Sequence, residues 1–330
     1  MTRKLIAFDL EGPLSPQDNA YDLMGLFPNG REIFEVISRY DDLLTLDGRP
    51  GYEPGDTLAL IVPFLIHHGI RESDITSLAN RASLIHGADE LVPDLISDNW
   101  QVFCITTTYR QYSEIITGRL GIPPENLAGT VFPLNKLSRL ATQADNGVVA
   151  EVEREILRVR LPDDRSLRKI LDRFYWEQLP STSFGPLVAK IKPTGGRRKA
   201  TALQRFEERL GKPLSQWVVV GDSITDFRML QAVDKAGGLA IAFNANEYAL
   251  PYATMSLATT DSRDLTPILV RWGLGGRLEV AKTVAQEEMH GGKNERNYYH
   301  WLSGNKKWTI ALPIHKKIRK TVRESAASLG

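Results

Sequence analysis

Four short runs of hydrophobic residues, each bounded by polar residues or turn formers, are typical of buried strands. They comprise residues 5–8, 102–105, 217–220 and 239–243. Apolar residues at helical spacing lie between these runs, near 89–98, 109–120 and 199–210 and from Thr225 onward. Strands that alternate with helices over such a length predict a parallel sheet with helices on both faces.

Two stretches of helical spacing contain no predicted strand and interrupt this alternation. The first is broken by turn residues near 28–30, 48–50 and Gly69, and the second is highly charged. We therefore predict an α/β core from residues 1–14, 87–134 and 186–272, a helical cap at 15–86, a helical insertion at 135–185 and a helical, basic extension at 273–330.

Composition and charge exclude several classes of protein. The 330 residues are 42% hydrophobic and 25% charged, as in globular proteins, and the net charge of +1 gives no electrostatic case for nucleic acid. The single cysteine, Cys104, excludes a disulfide framework and a multi-cysteine zinc site. The longest apolar run, 58–66, is half a membrane span, and Asp9 with Glu11 interrupts the N-terminal apolar stretch. We therefore expect a cytoplasmic protein without a membrane span.

Polar side chains follow the predicted strands, where open parallel sheets place their sites. They are Asp9 and Glu11 after the first strand, Thr106 after the second, Lys199 at the start of a helix, and Asp222 with Asp226 after the third strand. Each is ambiguous alone, because an aspartate after a strand is often a helix cap or a turn former.

Together these side chains suit phosphoryl transfer. A carboxylate such as Asp9 can attack phosphorus and form an aspartyl-phosphate, provided that its repulsion with the phosphate is neutralised. Mg²⁺ held by carboxylates such as Asp9 and Asp222 would do this. Lys199 and Thr106 can clamp the phosphoryl oxygens, and Glu11 can protonate the leaving oxygen.

The same residues resemble the four motifs of the haloacid dehalogenase (HAD) superfamily of phosphatases, and their order agrees with it. The motifs correspond to Asp9-Leu10-Glu11 after a strand, to Thr106 at the end of the next, to Lys199, and to Gly221-Asp222-Ser223-Ile224-Thr225-Asp226. The resemblance implies a HAD-like, Rossmannoid three-layer sheet with an inserted helical cap, and Mg²⁺ as cofactor. It covers residues 4–132 and 190–270.

Within the superfamily the sequence is most similar to phosphoserine phosphatases, which carry a helical cap between the first two motifs. The resemblance implies a metal site of Asp9, Asp222, Asp226 and the backbone carbonyl of Glu11, with Asp226 orienting either metal-bound water or Lys199. Asp18 and Thr107 are the predicted substrate-binding residues. Asp18 lies where a cap glutamate receives a substrate amine in that family, although it is equally suited to cap a helix.

Two departures from this pattern bear on the substrate. Glu11 replaces the usual second aspartate of the first motif, which changes the reach of the acid. The cap stretch 57–64 has no arginine to pair with a substrate carboxylate, and this argues against phosphoserine itself. Glu11-Gly12-Pro13, followed by Asp18, also resembles archaeal HAD proteins linked to energy-converting hydrogenase.

Three functions are compatible with the sequence. The first is a Mg²⁺-dependent hydrolase of small phosphorylated metabolites. The second is a phosphotransferase to a small alcohol or amino alcohol, suggested by Glu11. The third is a HAD-fold accessory subunit of a larger complex, suggested by the insertion and by the basic tail. That tail, 306–323, holds seven basic residues and no acid; it is either a solvated helical face or a docking segment for an acidic protein or anionic lipid.

Three other features receive structural interpretations. His67 and His68 are adjacent on a predicted helix, where their side chains should diverge, so we expect no metal site. The glycines of Thr194-Gly195-Gly196-Arg197-Arg198 should let the backbone approach the site, and the arginines should attract anions. Cys104 is expected to be a small core residue.

Overall fold

The computed structural model describes residues 3–160, 163–290, 297–304 and 307–323. In these residues seven strands form one sheet in the order β3-β2-β1-β4-β5-β6-β7. The strands are β1 (Lys4–Phe8), β2 (Trp100–Tyr109), β3 (Leu127–Thr130), β4 (Trp217–Gly221), β5 (Leu239–Phe243), β6 (Met255–Thr259) and β7 (Asn297–Trp301). Neighbouring strands are parallel except for β7, which pairs antiparallel with β6. The predicted α/β class with a parallel sheet is confirmed.

The central strands are buried on both faces, which explains why they appear in the sequence as unbroken hydrophobic runs. Along β1, Ile6 and Phe8 contact one hydrophobic cluster, and Leu5 and Ala7 contact another on the opposite face. A fully buried side chain of this size stabilises the fold by about 1.5–3 kcal/mol. Cys104 lies fully buried in the first cluster, as expected of a small core residue.

Helices precede and follow the strands. Before β2 lie α1 (Asn19–Met24), α2 (Gly30–Leu46), α3 (Thr57–Leu60), α4 (Val62–His67), α5 (Glu72–Arg81) and α6 (Ala88–Ser97). Between β2 and β4 lie α7 (Arg110–Arg119), α8 (Leu134–Leu140), α9 (Gln143–Ile156), α10 (Asp164–Arg173), α11 (Gly185–Val188) and α12 (Arg197–Leu210). The rest are α13 (Phe227–Lys235), α14 (Thr266–His290) and α15 (Trp308–Arg323).

The helices between β1 and β2 pack against those between β3 and β4. Arg39 on α2 pairs with Asp164 on α10 through two hydrogen bonds of 2.9 and 2.7 Å. His67 and His68 at the end of α4 both reach Glu153 on α9, with Nε2–Oε2 distances of 3.8 and 3.0 Å. The expectation that these adjacent side chains diverge was therefore wrong, because the carboxylate lies between them.

The predicted helical extension after residue 273 is only partly helical. Helix α14 is broken at Gly275 and Gly276, where the backbone leaves helical values, and β7 follows it as an edge strand. Strand β7 escaped prediction because it is half-buried and its sequence, Asn-Tyr-Tyr-His-Trp, has no clear alternation. None of the described helices is long and apolar enough to cross a membrane.

Candidate active site

The polar residues predicted at the strand ends meet at the centre of the sheet. Strand β1 lies between β2 and β4, where the order of the parallel strands reverses. A crevice forms outside the carboxyl ends of the strands at such a point. Phe8 pairs with Val220, and the Asp9 amide donates to the Val220 carbonyl at 2.9 Å. Asp9 and Asp222 therefore emerge from adjacent strands into one cavity, which both line.

Asp9 is held rigidly by its own backbone and by a lysine. Its Oδ1 accepts a 2.7 Å hydrogen bond from the Leu10 amide, and its Oδ2 lies 2.6 Å from Lys199 Nζ. Burial, reinforced by the charge of Asp226, raises the pKa of Asp9 well above its usual range, and Lys199 opposes this shift. Lys199 is therefore the neighbour that favours the charged form of this carboxylate.

Lys199, near the start of α12, is fully buried between two acids. Its Nζ lies 2.6 Å from Asp9 Oδ2 and donates to Asp226 Oδ1 at 2.7 Å. Burial alone would lower the pKa of Lys199, but Asp226 and Asp9 outweigh it and the pKa is raised. Asp226 Oδ2 accepts from the amides of Asp222 and Ser223 at 3.0 and 3.1 Å. Asp226 thus fixes both Lys199 and the turn after β4.

Asp222 has partners that the sequence did not indicate. Two arginines of α15 reach the same oxygen, Oδ2: Arg319 through Nη1 and Arg323 through Nη1 at 3.0 Å. Arg323 also donates from Nε to the carbonyl of Pro16 at 3.3 Å. Helix α15 therefore contacts both sides of the cavity, the loop after β1 and the turn after β4.

A glycine makes room for this arrangement. Gly12 has φ of +100°, and a Cβ at this position would lie 2.4 Å from the carboxyl carbon of Asp222. Any side chain here would displace Asp222. The Glu-Gly-Pro turn is thus required for the close approach of the two strand ends.

Glu11 points from the same loop towards the helices before β2. Its Oε1 accepts a 2.6 Å hydrogen bond from the Asn19 amide. Burial and, second, the charge of Asp18 raise the pKa of Glu11 to about 8. Asp18 caps α1 by accepting from the Tyr21 amide at 2.9 Å, and it also lines the cavity. Both interpretations of Asp18, as a cap and as a cavity residue, agree with this position.

Of the two threonines at the end of β2 that were predicted to contact the substrate, only one lines the cavity. Thr106 is fully buried, and its hydroxyl donates to Thr108 Oγ1 at 3.0 Å. It does not line the cavity, whereas Thr107 does. Successive side chains point to opposite faces of a strand, so only one of the two can face Asp9 from this edge. Thr107, whose hydroxyl donates to the Thr194 carbonyl at 3.3 Å, takes that position.

A divalent cation fits the acids at the strand ends. Asp9, Asp222 and Asp226 each offer a carboxylate oxygen, and these oxygens lie within 4.8 Å of one another. Such an all-oxygen set suits Mg²⁺ rather than softer metals. Both arginine contacts to Asp222 involve Oδ2, so Oδ1 remains available to a metal.

The two arginines before Lys199 are not free to attract anions, contrary to expectation. Arg197 donates to Glu53 at 2.5 Å, and Arg198 donates to Asp56 at 3.1 Å through Nη2. These ion pairs fasten the start of α12 to the loop before α3. Gly195 does allow a close approach, since a Cβ there would lie 2.0 Å from the carbonyl oxygen of Pro54.

The solvated-face interpretation of the basic tail was wrong for two of its residues. Arg319 and Arg323 have side chains that are 4% and 5% exposed. Lys316, by contrast, is exposed and pairs with Glu247 at 3.0 Å, and Lys306 lies outside the described residues. The spacing of these residues could have indicated their burial. Ala311, His315, Arg319 and Arg323 recur every four residues and share one buried face of α15. Docking of the tail to a partner stays a prediction.

His315 anchors this face of α15. It is fully buried, and its Nδ1 accepts a 2.8 Å hydrogen bond from the Ala245 amide. Burial, helped by the nearby charge of Arg319, lowers the pKa of His315 to about 3. The imidazole is therefore neutral in the folded protein at every pH above that value.

We predict that His315 makes the protein sensitive to acid. Because its pKa in the folded state lies below the ordinary 6.5, the unfolded chain binds the proton first, and stability is lost as the pH falls from about 6.5 towards 3. At pH 5 this loss should be about 2 kcal/mol. His315→Asn retains an acceptor for Ala245 but does not titrate. Urea unfolding at pH 7 and pH 5 should show a smaller pH dependence for the variant; equal pH dependence would contradict the prediction.

Comparison with known proteins agrees with the predicted fold. Residues 157–264 match the model of a family described as haloacid dehalogenase-like hydrolases. A structure of a gene product from Archaeoglobus fulgidus is similar over 100% of this chain and 99% of its own, with 26% identity and a TM-score of 0.84.

Two phosphoserine phosphatase structures share the fold at lower identity. The apo form is 16% identical with a TM-score of 0.51, and covers 81% of this chain and 98% of its own. A phospho-aspartyl intermediate analogue of phosphoserine phosphatase is 17% identical with a TM-score of 0.52, and covers 81% and 99%. At this identity the likeness concerns the fold.

Proposed function

We propose that this chain, a member of the haloacid dehalogenase-like superfamily, is a Mg²⁺-dependent hydrolase of small phosphomonoesters. The observation that carries the proposal is the position of Asp9. Its carboxylate lines a cavity at the centre of the sheet, paired with a buried lysine and next to a second strand-end aspartate. A carboxylate on a rigid element, with a cation beside it, is suited to nucleophilic attack on phosphorus.

In the proposed reaction Asp9 attacks phosphorus and displaces the leaving alcohol in line. The new bond joins a carboxylate oxygen of Asp9 to phosphorus, and the bond to the leaving oxygen breaks. Glu11 supplies the proton that this oxygen requires. Because its pKa is raised to about 8, Glu11 is largely protonated near neutral pH, as a general acid must be.

In the second half of the reaction water attacks the aspartyl-phosphate. Glu11, now deprotonated, takes a proton from that water, and orthophosphate leaves while the carboxylate of Asp9 is regenerated. The hydroxyl of Thr107, which lines the cavity, can hold a phosphoryl oxygen, and Lys199 lies directly behind Asp9 and supplies a positive charge there. Asp226 keeps Lys199 in position.

Asp9 and Asp222 would hold the metal, with Asp226 close behind them. Bound Mg²⁺ would neutralise the repulsion between the Asp9 carboxylate and the phosphate dianion, as divalent cations do in phosphoryl transfer. The helices before β2 contribute Asp18, Asp41 and Leu58 to the cavity wall, so they are placed to select the substrate.

We predict that phosphate release requires the metal. Removing it with EDTA should lower the rate of phosphate release from p-nitrophenyl phosphate by at least about 100-fold, since a metal contributes several kcal/mol to stabilising charge in the transition state. Excess Mg²⁺ should restore the rate, and a panel of phosphorylated metabolites would then identify the substrate class. Turnover that EDTA leaves unchanged would exclude the proposed metal dependence.

A further inference from the structure

Helix α15 contributes two basic residues to the cavity wall. Among the described residues that line the cavity, Arg319 and Arg323 are the only basic ones. The other charged residues lining it are acids, three of them supplied by the helical segment before β2: Asp18, Asp41 and Asp42. A second anionic group on a ligand, in addition to the phosphoryl group, would therefore be attracted to the described part of the cavity wall that α15 forms and repelled by the acidic part.

Arg323 lies beside the loop that carries Glu11. Its Nε donates to the carbonyl of Pro16, which follows Glu11 in the loop after β1, and its Nη1 donates to Asp222. It is also close enough to act on Glu11, the residue proposed to protonate the leaving oxygen. Glu11 and Arg323 line the same cavity, so a group attached to that oxygen would lie within reach of this guanidinium.

The second terminal nitrogen of Arg323 makes no hydrogen bond within the described part of the chain. The side chain is 5% exposed, so its remaining donors face the cavity rather than bulk water. A charged donor without a protein partner at a cavity wall favours a ligand that accepts from it, because a hydrogen bond to a charged group is strong. A guanidinium presents its donors as a planar fork that matches carboxylate and phosphate oxygens.

We propose that Arg323, held in place by Asp222 and by the carbonyl of Pro16, binds a second anionic group on the substrate. The preferred substrates are then phosphomonoesters whose alcohol also carries a carboxylate or a second phosphate. This inference rests on the proposed function, because it places the group on the leaving alcohol. Helix α15 would then help to select which phosphomonoesters are preferred.

The test compares matched substrates that differ only in the second anion. Phosphoglycolate and ethyl phosphate differ by a carboxylate, and propane-1,3-diol bisphosphate and propyl phosphate differ by a phosphate. For Arg323→Gln we expect kcat/KM to fall about 10- to 100-fold for the anion-bearing member of at least one pair, mainly through KM. Any fall for the other member, through the contact of Arg323 with Asp222, should be smaller by at least about fivefold. The pair for which Arg323→Gln lowers kcat/KM shows whether the site prefers a carboxylate or a phosphate.

Two further variants make the test decisive. Arg323→Lys retains the charge and should recover part of the preference, and exposed Lys320→Gln on the same helix should have no effect. Equal losses for both members of each pair would overturn the proposal, because Arg323 would then only position Asp222. Equal gains would also overturn it, because α15 would then obstruct the cavity.

Equilibrium binding separates this inference from the proposed function. Calorimetry with phosphoglycolate and with ethyl phosphate, in the presence of Mg²⁺, needs no turnover. If the protein hydrolyses neither compound yet prefers phosphoglycolate, and Arg323→Gln abolishes that preference, the anion site stands while the hydrolase proposal fails. If the unaltered protein turns over phosphoglycolate and ethyl phosphate and binds both with equal affinity, and the bisphosphate pair shows no difference in kcat/KM either, the hydrolase proposal stands and the anion site is excluded.

Discussion

Asp9→Asn is expected to lower phosphate release by at least about 10³-fold, the scale seen when a nucleophile is removed from an enzyme that forms a covalent intermediate. The amide has nearly the same shape as the carboxylate but neither its charge nor its nucleophilic oxygen. The hydrogen bond from the Leu10 amide should survive, because the amide oxygen can accept it. The loss should appear in kcat, since chemistry and not access to the cavity is affected.

Stability should behave differently from activity in this variant. Burial disfavours the charge of Asp9, so removing that charge should leave the melting temperature unchanged or raise it. Asp98→Asn makes the same chemical change at an exposed site just before β2, at the opposite edge of the sheet, and serves as the control. An Asp9→Asn protein that releases phosphate as fast as this control would refute Asp9 as the nucleophile.

Lys199→Met is expected to affect both activity and stability. The lysine is a buried cation between Asp9 and Asp226, and its removal leaves two buried carboxylates facing each other. Loss of one partner from a buried ion pair costs about 3–5 kcal/mol of unfolding free energy. Phosphate release should fall by at least about 100-fold, because Asp9 loses the cation that orients its carboxylate and balances its charge.

Denaturant unfolding would measure this loss, with Lys190→Met at an exposed position as the matched control. The deficit should shrink as the pH is lowered from 8 to 5. Without the lysine, repulsion raises the pKa of the two carboxyls in the folded state, so protonation relieves the strain and stability declines as the pH rises. A difference below about 1 kcal/mol from the control would show that the lysine is not a necessary counter-ion.

The sheet and the strand-end residues were predictable because their signals are local. A strand buried on both faces needs a continuous hydrophobic run, and all four predicted runs are strands. The long-range meeting of Asp9 with Asp222 also follows from a simple rule. The carboxyl ends of parallel strands lie at one edge, so residues more than two hundred positions apart become neighbours once the strand order is known.

The features that the sequence did not predict depend on contacts between residues that are far apart in the sequence. Thr106 and Thr107 have the same side chain, and only the registration of β2 against β1 decides which of them faces the cavity. The burial of the α15 arginines was hard to predict for the same reason. A basic residue on an amphipathic helix is normally assigned to the solvated face, and only a buried acid opposite it in the folded protein changes that assignment. Asp222 is that acid, and it lies about a hundred residues away in the sequence.

The dependence of Asp222 on α15 has a consequence for biosynthesis. Helix α15 leaves the ribosome after every strand of the sheet described here, so the core can assemble around Asp9 and Lys199 before residues 319 and 323 exist as part of the folded protein. Until then the end of β4 carries an acid without its two guanidinium partners. The nascent chain can therefore fold before the region around Asp222 is complete, because the two guanidinium groups arrive with one late helix.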